Sequence, residues 1–190
     1  MSRILIVSAL SQEVPNFTWP LPGTLIFTGV GKVNATYKLT DVLTRVGGKK
    51  RYDLVINYGT AASNFFKGKL VDCTKFMQRD MDATPLGFGK WETPYDNMNG
   101  PLIDFSQSDI KNPLKYNLTC YTGDSFVTDI QDMDVVDMEA YALAKVCRNF
   151  GIDFVSYKYI SDDGNADDWE KNCGKGVDKL KKVLEYYDNN

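Results

Sequence analysis

Three acidic residues stand out because each follows an apolar run of the chain. Asp162 comes directly after "YKYIS", Glu139 follows "DVVDM", and Glu13 lies shortly after the first apolar run. A carboxyl group at the end of a buried strand is partly removed from water, which raises its pKa toward the range where it can donate a proton near neutral pH. Taken singly, each acid could instead be an N-cap or first-turn acid of a helix. Three such acids at three strand ends favour acid–base chemistry.

The chain contains no histidine. This excludes serine–histidine and cysteine–histidine nucleophiles, the usual zinc hydrolase motifs and a histidine general base. Acid–base work must therefore fall to Asp, Glu, Lys, Tyr or water.

Two short motifs suggest ligand loops but do not satisfy their patterns. "GVGK" is not a phosphate-binding P-loop, because Ile26 stands where the first Gly is required and Val33 where Ser or Thr is required. The acidic stretch "DDGNADDWE" is not a calcium loop, because Asp168 replaces the required Gly and Gly174 the required Glu. We expect neither a metal nor a cofactor.

The composition is that of an ordinary globular protein, with 43% hydrophobic and 25% charged residues. Its 190 residues suit a single domain over 1–190. The net charge of -3 argues against nucleic acid as a partner, since that needs a basic surface.

No apolar stretch approaches the roughly 20 residues that would span a membrane, so no membrane partner is expected. "MSRILIVSALSQEV" lacks the long apolar core and cleavage site of a signal peptide. The expected location is cytoplasmic, and the four cysteines are expected to be buried free thiols.

Apolar runs that alternate with helix-like stretches must position the acids. They predict an α/β domain with a mostly parallel central sheet flanked by helices, in which ligands bind beyond the carboxyl ends of the strands. Residues 78–116 are the least regular part and are interpreted as a long surface loop of the kind that often binds ligands. The predicted strands are Arg3–Ala9, Thr24–Gly29, Tyr52–Gly59, Lys69–Met77, Asn117–Gly123 and Asp153–Ser161; the predicted helices are Lys32–Gly47, one after Glu139, and the tail from about Asp168.

Seven stretches, taken in order, resemble the nucleoside phosphorylase/nucleosidase superfamily. They are "ALSQEV", "GVGKVNA", "INYGTAAS", "GKLVDCTKFMQRDMDATPLGF", "TGDSF", "VDMEAYALAKVC" and "FVSYKYISD", and they cover nearly the whole chain. The 5′-methylthioadenosine/S-adenosylhomocysteine nucleosidases are the most similar branch. The resemblance implies a nucleoside phosphorylase-like fold and hydrolysis of the bond between a purine and a sugar.

The resemblance also implies catalytic roles for the three acids. Asp162 would protonate N7 of the purine, Glu139 would hold the ribose hydroxyl groups, and Glu13 would activate water. A protonated purine leaves more readily than a purine anion, and carboxylates stabilise the cationic sugar that remains.

Further residues would bind the substrate. Ser161 is expected to orient Asp162, and the predicted contacts with the base, the sugar or the water are made by Phe126, Val127, Met138, Thr60, Ala61 and Lys158. The sequence departs from the family pattern at Ala62-Ser63, where Gly-Gly is common, and at Lys158, where Arg is common.

Two other functions stay open at this point. One is a phosphorylase that uses phosphate, which is disfavoured because a carboxylate beside the attack site would repel a phosphate dianion. The other is a nucleoside-binding protein without catalysis. By resemblance we also expect a homodimer, with the aromatic stretch "FGKWETPYDN" at the contact or in the partner's pocket.

Overall fold

A mixed β-sheet with helices on both faces makes up the part of the chain that the computed structural model describes, residues 3–17, 24–96, 100–108 and 112–189. Three short 3₁₀ turns, Ser11–Glu13, Gly48–Lys50 and Thr84–Leu86, accompany it. The strands are β1 (Ile4–Ser8), β2 (Thr24–Phe27), β3 (Leu54–Ala62), β4 (Leu70–Gln78), β5 (Leu102–Asp104), β6 (Leu118–Thr122), β7 (Val135–Asp137) and β8 (Asp153–Asp162), and the helices are α1 (Lys32–Val46), α2 (Ala140–Phe150), α3 (Ala166–Asn172) and α4 (Val177–Asp188).

Five strands of the sheet close into a ring. β3 pairs with β8, β8 with β4, β4 with β6, β6 with β7, and β7 returns to β3. β1 and β2 extend the sheet from β3, and β5 pairs with β4. The predicted α/β arrangement is confirmed, but the sheet is mixed: the β3–β7, β4–β5 and β4–β8 pairings are antiparallel.

The two faces of the sheet are both buried, which explains why the strands read as continuous apolar runs. Leu5 and Val7 of β1 belong to a core shared with α1 and α2, while Ile4 and Ile6 belong to a core shared with α4. Successive side chains of a strand point to opposite faces, so one strand supplies both cores.

Helix α1 follows the predicted periodicity. Ala35, Leu39 and Leu43 are buried, and the helix ends at Val46 because Gly47 adopts a left-handed conformation, with φ of 85°. None of the helices within the described ranges is long and apolar enough to cross a membrane.

Two predicted segments differ from the structure. The irregular stretch 78–116 contains the short strand β5, whose Ile103 is buried in the core. The tail is two helices rather than one. Gly174, with φ of 86°, breaks the helix, and the backbone at Gly176 packs so closely on Tyr58 and Tyr159 that a Cβ atom would clash.

A β-bulge near the end of β8 shapes the edge of the sheet where the acids lie. Ala61 of β3 pairs with Ile160 and Ala62 with Asp162, so Ser161 has no residue opposite it. A bulge bends a strand and redirects the side chains that follow. The side chain of Asp162 therefore departs from the regular alternation of side chains along β8.

Candidate active site

A cavity of about 360 Å³ opens at the carboxyl ends of β1, β3, β7 and β8. Its wall is mainly apolar with a few polar groups, which is the usual character of a small-molecule site. The lining residues are Ala9, Leu10, Glu13, Val30, Thr60, Ala61, Ala62, Ser125, Phe126, Val127, Val136, Asp137, Met138, Glu139, Asp162, Ala166 and Trp169.

Asp162 is the last residue of β8 and is only 2% exposed. The Ser161 hydroxyl donates a hydrogen bond to its Oδ2 at 2.8 Å, and the Gly164 N–H donates to its Oδ1 at 2.9 Å. Burial raises the pKa of Asp162, and these two hydrogen bonds oppose the shift only in part. A carboxyl group in this setting can hold a proton for transfer.

Glu139 is the residue before α2 and is also buried. Its Oε1 accepts a hydrogen bond at 2.8 Å from the N–H of Gly31, which immediately precedes α1. Burial first, and then the neighbouring Asp137 carboxylate, raise the pKa of Glu139 to about 7. Glu139 therefore changes charge near neutral pH.

Asp137 and Lys158 form a buried ion pair beneath Glu139. Lys158 Nζ lies 2.8 Å from Asp137 Oδ2, and neither side chain is more than 1% exposed. Burial alone would raise the pKa of Asp137 and lower the pKa of Lys158. Their mutual attraction outweighs burial, so the pKa of Asp137 is lowered and the pKa of Lys158 is raised. Lys158 does not line the cavity, although the sequence predicts it near the water.

Glu13 lies in the 3₁₀ turn after β1, five residues beyond Ser8 in the chain, rather than at the strand end itself. Its Oε2 accepts hydrogen bonds from the Ser8 hydroxyl at 3.0 Å and the Leu10 N–H at 3.1 Å. Its Oε1 accepts from the N–H and hydroxyl of Thr60 at 2.8 and 2.9 Å. The backbone of Gly59 approaches closely, since a Cβ atom there would lie 3.0 Å from Oε1.

Three residues with apolar side chains, Phe126, Val127 and Met138, also line the cavity. Phe126 is 48% exposed, and Met138 lies between the two acids Asp137 and Glu139 in the chain. A half-exposed aromatic ring at a cavity can stack on a heterocyclic base.

The structure brings most of the predicted site residues to one cavity. Ser161 lies behind the wall, where it contacts Asp162, and Lys158 lies deeper, on Asp137; the others line the cavity, namely Asp162, Glu13, Glu139, Phe126, Val127, Met138, Thr60 and Ala61.

The predicted site residues do not include three residues of the lining whose side chains can form hydrogen bonds, Ser125, Asp137 and Trp169. Asp137 has a detectable signal, because it stands two residues before Glu139 at the same strand end. Trp169 has none, since it reaches the cavity from a short helix that packs beside β8. Among the described residues, no group of three or more His, Cys, Asp or Glu side chains is placed to hold a metal ion.

Two curated proteins are similar to this chain over most of its length. A chain from Anoxybacillus flavithermus is 30% identical over 158 residues, which are 73% of this chain and 66% of the relative. One from Actinobacillus succinogenes is 32% identical over 163 residues, which are 75% of this chain and 69% of the relative. Both are named 5′-methylthioadenosine/S-adenosylhomocysteine nucleosidase. The match thus spans about two thirds of the relatives' lengths.

Solved structures show the same fold. A 5′-methylthioadenosine/S-adenosylhomocysteine nucleosidase from Helicobacter pylori, with butyl-thio-DADMe-Immucillin-A, has a TM-score of 0.79 at 20% identity and covers 98% of this chain and 99% of its own. An S-adenosylhomocysteine nucleosidase from Streptococcus pyogenes has a TM-score of 0.73 at 19% identity, covering 96% and 94%.

A family profile matches most of the chain. The profile described as "Phosphorylase superfamily" matches residues 21–187, from before β2 to within α4. The protein belongs to the phosphorylase superfamily.

Proposed function

We propose that the protein hydrolyses the N-glycosidic bond of a purine nucleoside and releases the free base and the sugar. The observation that carries this proposal is that three buried carboxyl groups, Asp162, Glu139 and Glu13, line one cavity from three different parts of the chain. The curated relatives are named for 5′-methylthioadenosine and S-adenosylhomocysteine, which are therefore the candidate substrates.

Asp162 acts as the general acid. Its raised pKa favours the protonated carboxyl group, and it donates that proton to N7 of the purine. Ser161 and Gly164 hold the carboxyl group in one orientation. The base then leaves as a neutral purine rather than as an anion, while the C1′–N9 bond breaks.

Glu139 binds the sugar and stabilises its positive charge. Its Oε1 is held by Gly31, and its remaining acceptor positions are free to receive the ribose hydroxyl groups. Because the charge on the sugar develops in the transition state, a nearby carboxylate stabilises the transition state more than the substrate. Met138 packs against the sugar, and Phe126 and Val127 receive the base.

Glu13 accepts a proton from the attacking water. The water oxygen forms the new bond to C1′, and Thr60, which binds Glu13, lies beside it. The Lys158–Asp137 ion pair supports Glu139 from below, because Asp137 Oδ2 accepts hydrogen bonds from the Glu139 and Ala140 N–H groups and holds this backbone in place.

Hydrolysis is favoured over phosphorolysis by the charge of the cavity. No Lys or Arg is among the described residues that line it, whereas Glu13 and Glu139 are, and the positive charge of Lys158 is taken up by Asp137. A phosphate dianion would be repelled there. If phosphate added to the desalted enzyme yields a sugar 1-phosphate, the protein is a phosphorylase.

A panel of purine nucleosides in phosphate-free buffer tests the proposal directly. The panel includes 5′-methylthioadenosine and S-adenosylhomocysteine, and mass spectrometry detects the free base. We expect base release from at least one of them. Nucleosides that bind by calorimetry but stay intact overnight would instead indicate a binding protein without catalysis.

The proposal includes a homodimer, a single domain over 1–190 and a cytoplasmic location. The segment 88–96 offers a contact surface: Tyr95 is 92% exposed and packs on Phe88, while Asp96 pairs with Lys145 of α2. Asn97, the last residue of the predicted contact stretch, lies outside the described residues. A monomeric mass by light scattering at micromolar concentration would refute the dimer.

A further inference from the structure

Trp169 of α3 is linked by hydrogen bonds to Glu13, the proposed acceptor of the water proton. Its indole N–H donates a hydrogen bond to Thr60 Oγ1 at 2.9 Å, and the same hydroxyl donates to Glu13 Oε1 at 2.9 Å. The indole N–H can only donate, so the direction of this chain is fixed from Trp169 through Thr60 to Glu13.

Contacts from outside the helix hold α3 in place. A helix of seven residues has little stability of its own. Asn165 caps its first turn, the Asn172 side chain donates to the Ser161 carbonyl at 2.8 Å, and Lys67 binds Asp168 at 2.6 Å. These contacts fix Trp169 against the cavity wall.

The acceptor positions of Glu13 are already filled. A carboxylate offers about four lone-pair sites, and Glu13 receives four hydrogen bonds, two from backbone N–H groups and two from hydroxyl groups. A water that donates to Glu13 must replace one of these donors, and only the hydroxyl groups can turn away. Ser8 is fully buried, whereas Thr60 lines the cavity. Thr60 is therefore the donor that yields.

We propose that Trp169 is a positioning residue for the attacking water and acts through the hydroxyl group of Thr60. This inference rests on the proposed hydrolysis. The hydrogen bond from Trp169 keeps Thr60 Oγ1 in place while its hydrogen turns from Glu13 toward the water oxygen. The water donates one hydrogen to Glu13 Oε1 and directs its free lone pair to C1′. As the O–C1′ bond forms, that hydrogen passes to Glu13 as a proton.

Trp169→Phe tests the proposal because it keeps an aromatic ring and removes the N–H. We expect kcat to fall about three- to tenfold, the value of one lost hydrogen bond. KM should stay within about twofold, because a group that acts on the water does not bind the substrate. In mixtures of water and methanol, the ratio of methyl glycoside to free sugar should rise about twofold or more, because the held water loses its positional advantage. A purely structural role would leave that product ratio unchanged.

A double-mutant cycle with Thr60→Val tests the route of action. Once the hydroxyl is absent, Trp169→Phe should have no further effect on kcat or on the product ratio. Glu170→Gln is the matched control, since Glu170 is exposed on the same helix and does not line the cavity, and it should behave as wild type.

The outcomes separate this inference from the proposed function. If Trp169→Phe releases base at the wild-type rate and with the wild-type product ratio, the role of Trp169 is wrong. The role is also wrong if the losses of kcat from Trp169→Phe and Thr60→Val multiply in the double variant. Neither outcome affects the proposed hydrolysis. A wild-type protein that releases no base from any nucleoside would overturn the hydrolysis and this inference together.

Discussion

Lys158 Nζ and Asp137 Oδ2 lie 2.8 Å apart at the base of the cavity that Asp137 lines, and neither side chain is more than 1% exposed. Asp137 also accepts hydrogen bonds from the Thr122 hydroxyl at 2.5 Å and from the Ala140 N–H at 2.8 Å. A buried ion pair with its remaining lone pairs satisfied holds its geometry, but it is costly to break from one side.

Lys158→Met should destabilise the protein by about 3–5 kcal/mol, because Asp137 would remain buried without its counter-ion. Urea unfolding measures the loss. In the double variant Asp137→Asn/Lys158→Met no uncompensated charge remains, so most of the stability should return. A cost below about 1 kcal/mol for Lys158→Met would show that the pair contributes little.

Asp162→Asn should lower kcat by roughly 10²–10⁴, equal to about 3–5 kcal/mol of transition-state stabilisation, because the amide cannot supply the proton. The control is Asp163→Asn. The Asp163 side chain is 48% exposed and pairs with Lys67, so its change should alter kcat by less than about tenfold. If Asp163→Asn lowers kcat more than Asp162→Asn does, Asp162 is not the general acid.

Stability should decline as pH rises from about 5 to about 8, because the pKa of Glu139 is about 7 when folded against an ordinary 4.5. Between those two values the folded state binds more protons than the unfolded state, so its advantage is complete at low pH and is lost as Glu139 ionises. The free energy of unfolding, measured with urea at each pH, should fall by roughly 1–3 kcal/mol less in Glu139→Gln than in the wild type over this range. Glu185→Gln, an exposed site on α4, should leave the decline unchanged.

Glu139→Gln should also be severe for catalysis, since it weakens ribose binding and stabilisation of the sugar cation together. We expect kcat/KM to fall by about 10²-fold or more. Steady-state kinetics with any nucleoside that the wild type cleaves gives the value, and activity within about threefold of wild type would remove Glu139 from the mechanism.

Gly59→Ala should lower kcat by about tenfold, because the new methyl group would lie 3.0 Å from Glu13 Oε1 and would displace the carboxylate. Gly59 does not have a positive φ, so the substitution should add little backbone strain. The midpoint temperature of thermal unfolding should therefore stay close to that of the wild type, although kcat falls. Wild-type kcat in this variant would mean that the position of Glu13 is not critical.

Local patterns explain how much of this arrangement the sequence predicts. The apolar runs locate most strands, and the acids that follow them locate Asp162 and Glu139, because both signals arise from neighbouring residues. The bulge at Ser161, the closure of the ring and the contact from Trp169 to Thr60 depend on partners distant in the chain; 109 residues separate the last pair. No local pattern carries that information.

Lys158 shows a second reason why the site could not be fully predicted from the sequence. The resemblance predicts a side chain near the water, but the deciding factor is the choice of partner in the interior. Asp137 binds the ammonium group within the protein and keeps it from the cavity.

The closed ring of strands has a consequence for synthesis of the protein on the ribosome. β8 joins β3 to β4, yet it is the last strand to be made. Until residue 162 has emerged from the ribosomal tunnel, β3 and β4 each have one edge that lacks a partner along much of its length. Open strand edges of this kind pair readily with other chains. A stalled or truncated nascent chain that ends before β8 should therefore need chaperone protection, whereas the finished chain should not.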